Sequence, residues 1–457
     1  MSIHANVLSA IAHTPLIRLN RVVGRDDATV LVKPEFMNPG GSIKDRMALH
    51  ILDKAEKSGR LKPGATIVEN TSGNTGVGVA LVAAIRGYKC IFTMPDKMSK
   101  EKQDTLKAFG AKVIVTPTNV AADSPDSYYS VAKRIAAETP GSFYVNQYHN
   151  PDNIEAHYLS TGPEIWEQTG GKVDAFVAGI GTGGTMSGTG KFLKERSPTI
   201  RNVGVDPFGS VYHSLFTTGK MCEPHVYKVE GSGEDMVCGA MNLKVMDEVR
   251  QVNDAQAFSM ARRLAREEGI LAGGSSGAAV HVAAGLANEM GAGKTIVVIL
   301  PDGGRAYISK FYSDEWMKDN GFVDSSPAAQ STVRDVLGSR IGRVITARVD
   351  ETIDAVVRRM REHEISQVPV VDATGKAVGM VHESDVLGHL LDVRHRSSDA
   401  VSRVMSKLEG IVWLDVSVDA LRRVFAEDKV AVVMDEGRIV GIVTKIDVID
   451  FLGRSLP

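Results

Sequence analysis

The chain has 457 residues, a formal charge of −2, and 43% apolar against 24% charged residues, a length beyond what one hydrophobic core usually supports, so two or three domains are expected. The near-neutral charge gives no electrostatic reason for a nucleic-acid or acidic-membrane partner. Cys90, Cys222 and Cys238 have neither paired nor metal-type spacing, which argues against a disulfide framework and a zinc site.

No basic segment followed by a long apolar core opens the chain, and no run of about 18 apolar residues occurs, so a cytoplasmic protein is expected. The first element with chemical content is Asn38-Pro39-Gly40-Gly41-Ser42-Ile43-Lys44-Asp45-Arg46, which sets one lysine after a Gly-rich turn and before a helical run. A lysine in water is protonated and cannot attack a carbonyl. Desolvated at a helix start, near positive partial charge, it can lose its proton and hold an aldehyde as a Schiff base. By itself such a residue is more often a surface lysine after a turn. Next, a strand-like run over 66–69 leads into Thr71-Ser72-Gly73-Asn74-Thr75-Gly76 and a helix over 77–85. Hydroxyls and N–H groups at that helix start suit a carboxylate, although a plain N-cap is the simpler device.

Apolar runs at 90–94, 112–116, 202–206 and 296–300 alternate with helical segments at 100–109, 130–138, 255–268 and 278–290. Strands buried on both faces and joined by helices predict an α/β fold with largely parallel sheet, its Gly-rich loops at the carboxyl ends of strands. A smaller subdomain over 40–141 would carry the Thr71 loop. A buried-strand pattern over 173–180 precedes Gly181-Thr182-Gly183-Gly184-Thr185 and a helix over 186–196. Glycines there let backbone wrap a phosphate, and no Gly-Lys-Ser/Thr follows to make it a Walker loop. The last Gly-rich turn is Gly273-Gly274-Ser275-Ser276-Gly277. The small polar stretch 324–331 reads as a linker, giving a catalytic domain over 1–323, a linker over 324–338 and two repeats over 339–396 and 397–457. The repeats show where Gly379-Met380-Val381-His382-Glu383-Ser384-Asp385 lines up with Gly441-Ile442-Val443-Thr444-Lys445-Ile446-Asp447.

In this order, the four motifs resemble the fold-type II pyridoxal-phosphate enzymes, most closely the cysteine synthase and cystathionine β-synthase group, over roughly residues 1–322. The resemblance implies pyridoxal 5′-phosphate as cofactor. Lys44 would be the Schiff-base lysine, and Gly181, Thr182, Gly183, Gly184 and Thr185 would hold the phosphate. Asn74 would meet the ring hydroxyl and Ser275 the ring nitrogen. Thr71, Ser72, Thr75 and Gln147 would hold the substrate carboxylate, with Gly73, Tyr148 and Gly233 beside them. A serine opposite the nitrogen cannot supply the charge an Asp would, so the electron sink is weak and loss of a β-leaving group is favoured over transamination. Lys44, once released, is the natural base for the α-proton.

The repeats resemble a tandem CBS-domain pair, the Bateman module, an α+β unit that typically binds adenosyl compounds. Gly441 to Asp447 fits its Gly-hydrophobic-x-Thr-x-x-Asp ribose pattern, so Gln367, Val368, Thr444 and Asp447 are expected around a regulatory ligand such as S-adenosylmethionine. In the first copy His382 stands where that Thr would be. The alternative is a pair of dimerisation surfaces without a ligand.

The module and Val229-Glu230-Gly231-Ser232-Gly233-Glu234-Asp235, similar to the VEGxGxD segment of the synthases, favour joining L-serine to L-homocysteine as L-cystathionine. Hydrogen sulfide would be released when cysteine replaces serine. His157 to Trp166 looks more like a sulfhydrylase, so cysteine synthase from O-acetylserine stays open. A nucleotide sensor that has lost catalysis is a third reading, against which Lys44, Asn74 and Ser275 argue. Animal members bear haem on an N-terminal extension with Cys and His ligands. Here the first Cys is Cys90, so no haem and no metal is expected, and His4 and His13 read as ordinary surface residues. At least a homodimer is expected.

Overall fold

Alternating apolar runs and amphipathic segments are resolved into two units, Met1–Phe322 and Val323–Pro457. The computed structural model describes residues 3–455 except 97, 99, 119, 122–123, 323–330, 427–429 and 436–437. In the first unit the strands are β1 (Ile17–Arg18), β2 (Thr29–Pro34), β3 (Thr66–Asn70), β4 (Lys89–Pro95), β5 (Lys112–Thr116), β6 (Phe143–Tyr144), β7 (Ala175–Gly179), β8 (Arg201–Pro207), β9 (Glu248–Val252) and β10 (Thr295–Leu300). A six-stranded sheet has the order β1-β2-β10-β7-β8-β9, and a four-stranded sheet the order β5-β4-β3-β6. Every pairing is parallel except β1 with β2. The run Ile296-Val297-Val298-Ile299-Leu300 is buried throughout, as a strand paired on both edges inside a wound sheet must be.

The predicted apolar runs are all strands, and β2 shows why some strands escape notice. Its Lys33 interrupts the apolar pattern, yet is fully buried. The Lys33 ammonium donates to Thr14 O, Glu164 Oε1 and Gln168 Oε1 at 2.8–2.9 Å. Arg46 completes the network, donating to Glu35 at 2.6 Å and to Glu164 at 2.7 Å. Burial opposes ionisation of Glu164, but the bonds and charges of Arg46 and Lys33 hold its carboxyl down to about 2. Two residues after Lys44, this network anchors the helix Lys44–Lys57 to the helix Thr161–Gln168.

The second unit contains two three-stranded sheets, β11 (Ala347–Arg348), β12 (Gln367–Val371) and β13 (Ala377–His382), then β14 (Ile411–Trp413), β15 (Ala431–Asp435) and β16 (Arg438–Val443). In both, the first pair is parallel and the second antiparallel, so the sequence repeat is a structural one. Of the expected linker, residues 324–330 lie outside the described residues. Val333–Leu337, assigned to that linker, is instead a short helix whose Val333, Val336 and Leu337 pack in the core of the second copy. Conversely, Val401 lies in the core of the first copy, with Val404 and Met405 against it. Each core is therefore closed by a segment that precedes the other copy's strands, and the sequence boundary at 396/397 does not divide the cores.

Candidate active site

A cavity of about 680 Å³ lies where residues just past β3, β7 and β10 converge, including Ser72, Gly181 and Pro301. Carboxyl ends of parallel strands are where such sheets expose loops to ligands. Lys44 lines it as the first residue of its helix. The turn before it is pinned: Gly40 N donates to Asp45 Oδ2 at 2.6 Å, Ile43 N to Pro301 O at 2.9 Å, and Gly41 takes φ +82°. Burial lowers the Lys44 ammonium from its ordinary value, against the opposing charges of Asp302 and Glu234.

Of the next motif, Ser72, Asn74 and Thr75 line the cavity. Thr71 is buried, and its Oγ1 accepts from Gly73 N and Gly76 N at 3.0 and 3.1 Å. It shapes the loop in which Gly73 sits at φ +149°. Thr75 Oγ1 donates to Gln147 Oε1 at 2.6 Å, bringing together two residues from separate motifs. Tyr148 also lines the cavity, its hydroxyl 3.0 Å from that of Tyr128.

Gly181 and Thr182 reach the cavity at the start of the 13-residue helix Gly184–Arg196, whose first N–H groups lack intrahelical partners. Gly183 has φ +92°, and a Cβ on it would lie 2.6 Å from Met241 Cα. A Cβ on Gly184 would lie 2.0 Å from Asn153 Oδ1, so this cradle requires glycine. Thr185 Oγ1 lies 3.3 Å from His157 Nε2. Ser275 lines the cavity as the second residue of the helix Gly274–Met290, and Gly233, at φ +77°, donates its N–H to Ile180 O at 2.6 Å. An amine, a glycine cradle at a helix start, an amide and a hydroxyl around one cavity fit pyridoxal phosphate.

Two further groups on the cavity wall, Asp302 and Tyr307, were not singled out in the sequence, and Glu230 of the Val229 to Asp235 segment lines it too, bonding Lys102 and Lys310. A charged residue directly after a continuous apolar run was the available signal for Asp302.

Glu69, buried at the end of β3, accepts from Asn146 N at 2.7 Å and Gln147 N at 3.2 Å and so sets the turn carrying Gln147. Burial pushes its carboxyl up from 4.5 to about 8 despite these bonds. The folded state then holds a proton that the unfolded chain has released, so this stability is complete below pH 4.5 and is lost as pH rises through about 8. Asp45 and Asp206, raised to about 7 and about 6, slope the same way. Glu69→Gln is therefore expected to make chemical-denaturation stability fall less steeply between pH 5 and 8 than in the parent; equal slopes would contradict the assignment.

In the second unit, Asp447 Oδ2 accepts from Thr444 N and Oγ1 at 2.8 and 2.6 Å, and its Oδ1 accepts from Arg340 at 2.6 Å. Asp385 repeats part of this in the first copy, accepting from His382 N at 3.2 Å. Both carboxylates thus stand at the third position of a helix and accept from the N–H of the residue before it, as the acid of a capping box does. Gln367 and Val368 lie on β12, in the other sheet from Thr444 and Asp447, and the Val368 side chain is fully buried. Among the described residues there is no group of three or more metal-ligating side chains, and no helix is long and apolar enough to cross a membrane.

Residues 7–302 match the family described as pyridoxal-phosphate dependent enzyme, and 333–392 and 401–454 each match the CBS domain. A cystathionine beta-synthase from Dictyostelium discoideum is 40% identical over 468 aligned residues, covering 98% of this chain and 92% of that protein. A cysteine synthase from Staphylococcus aureus is 46% identical over 305 residues, covering 66% of this chain and 95% of that protein. Among solved structures, an O-acetylserine dependent cystathionine beta-synthase from Helicobacter pylori superposes with a TM-score of 0.62 at 37% identity, covering 68% of this chain and 99% of that one. With residues 7–302 and both C-terminal repeats matched and a relative 40% identical over 98% of its length, the chain belongs to the pyridoxal-phosphate dependent enzymes and, among them, to the cystathionine β-synthase family.

Proposed function

We propose that this enzyme condenses L-serine with L-homocysteine to L-cystathionine, releasing hydrogen sulfide when cysteine takes the place of serine. The observation that carries this is the convergence of Lys44, Asn74, Gln147, Gly181, Ser275 and the Val229 to Asp235 segment on one cavity. Pyridoxal phosphate, when bound, supplies the carbonyl that takes up the substrate amine and the electron sink that lets the β-substituent leave. Gly181, Thr182, Gly183, Gly184 and Thr185 would hold its phosphate, Asn74 its ring hydroxyl and Ser275 its ring nitrogen. Thr71, Ser72, Thr75 and Gln147 would orient the substrate carboxylate. Lys44, whose ammonium burial disfavours, would take the α-proton onto Nζ once the incoming amine has displaced it. Tyr128 and Tyr148, joined at their hydroxyls, narrow the cavity on the substrate side.

The Helicobacter relative named for O-acetylserine supports a second reading, in which that ester replaces serine as the leaving-group donor. Serine and O-acetylserine, each offered with homocysteine and with sulfide, separate the cases. Serine with homocysteine is expected to give the fastest turnover. Reaction of O-acetylserine with sulfide alone would make the enzyme a cysteine synthase.

The CBS pair would bind an adenosyl ligand such as S-adenosylmethionine at Thr444 and Asp447, and the enzyme would work in the cytoplasm as a homodimer or larger homo-oligomer. A ligand shifts activity only by binding two arrangements unequally, and a tenfold preference supplies about 1.4 kcal/mol. Asp447→Ala is expected to abolish the calorimetric heat with S-adenosylmethionine while the rate without ligand stays within about twofold. No heat with the parent protein, together with equal rates with and without ligand, would leave the module an assembly element.

A further inference from the structure

The Asp302 carboxylate is 5% exposed and sits at the junction of the cavity's loops. Its Oδ2 accepts from Asn74 Nδ2 at 2.9 Å and from Tyr307 OH at 2.7 Å. Its backbone bridges to Ser42, in the turn before Lys44, and its carbonyl accepts from Gly273 N at 3.0 Å, two residues before Ser275. One residue thus bonds all three loops that present Lys44, Asn74 and Ser275.

The side chain also carries an unexplained cost. Oδ1 is buried without a hydrogen-bond partner, and a Cβ on Gly273 would lie 2.0 Å from it. Burial pushes the Asp302 carboxyl up, against the bonds from Asn74 and Tyr307 that favour its charged form, so keeping an acid here with one idle oxygen costs stability that a smaller neutral side chain would avoid. An asparagine amide can present either its NH₂ or its carbonyl oxygen, and these are close in shape. Oδ2 of Asp302 accepts from Asn74 and from Tyr307 alike, and it therefore holds the NH₂ end of Asn74 towards itself.

We propose that Asp302 is a positioning residue of the cofactor site, which locks the Asn74 amide with its second N–H available to the ring hydroxyl and its carbonyl turned away; this rests on the reading of the cavity as a pyridoxal-phosphate site. Without it, the amide can rotate and set a carbonyl oxygen against the ring oxygen.

The test uses the full-length holoenzyme, its Asp302→Asn and Asn74→Ala variants, and the double variant. The readouts are the rate of cofactor loss on dialysis against a carbonyl scavenger and the visible absorption band. Asp302→Asn is expected to lose cofactor about tenfold faster, the low end for residues that orient ligating groups, and to shift the band. In the Asn74→Ala background the same change should have little further effect, because the two residues act as one unit. An Asp302→Asn enzyme that keeps parental retention and spectrum, even with a lower melting temperature, overturns the proposal. So does an effect undiminished in the Asn74→Ala background. A parent protein with no yellow colour that hydride fixes to Lys44 overturns the cavity reading along with it, whereas a coloured parent beside an unaltered variant overturns the proposal alone.

Discussion

Lys44→Ala is expected to lower β-replacement by at least about 10³-fold, within the range that a positioned proton-transfer group supplies and before any loss of cofactor attachment is counted. The expectation follows from placement. Lys44 is the lysine at the helix start in the pinned turn Gly40 to Ile43, and burial favours its neutral amine. The fold should survive, because the Arg46–Glu164–Lys33 network anchors this helix without Lys44. A lysine whose ammonium is disfavoured when folded binds fewer protons folded than unfolded at pH below its ordinary value of 10.5. Its presence therefore weakens the fold as pH falls, and the alanine variant should be relatively more stable at lower pH. Steady-state turnover with serine and homocysteine, together with denaturation at two pH values, checks both parts. Near-normal turnover would remove Lys44 from the chemistry.

The elements around Lys44 were legible in the sequence because each is local. A continuous apolar run, a Gly-rich turn and a helical segment identify β3, β7 and the loops after them. What was not legible joins residues far apart in the chain. Asn74 and Asp302 are 228 residues apart, and Lys33 and Glu164 are 131 apart. Nothing local marks such partners, and Lys33 makes β2 look less apolar than its burial requires. Thr71 shows a different limit: the motif that suggests a ligand hydroxyl also suits a hydroxyl that braces its own loop, and the bonds to Gly73 and Gly76 add that second use, which the sequence did not mark. In the CBS pair the repeat was visible but the exchange of Val333–Leu337 and Val401 between cores was not, since either copy offers an equally apolar partner.

Ser275→Asp is the complementary change, since it alters the electron sink and leaves the base in place. Ser275 lies in the first turn of a 17-residue helix, where a carboxylate is favoured by the helix dipole, so the substitution should fold. Its new charge would hold the ring nitrogen protonated and deepen the sink. A ring made a stronger sink by Ser275→Asp would supply less push for expelling the β-substituent. Expulsion slows even though proton removal by Lys44 becomes easier. A barrier raised by about 2.7 kcal/mol, or about a hundredfold in kcat, is expected. The α-proton should still exchange with solvent deuterium, because that step needs only Lys44 and the sink. Slow turnover with retained exchange separates this outcome from simple misfolding, which would abolish both. Parental kcat together with a parental spectrum would show that Ser275 does not face the ring nitrogen, and the preference for β-elimination would then need another source in the cavity.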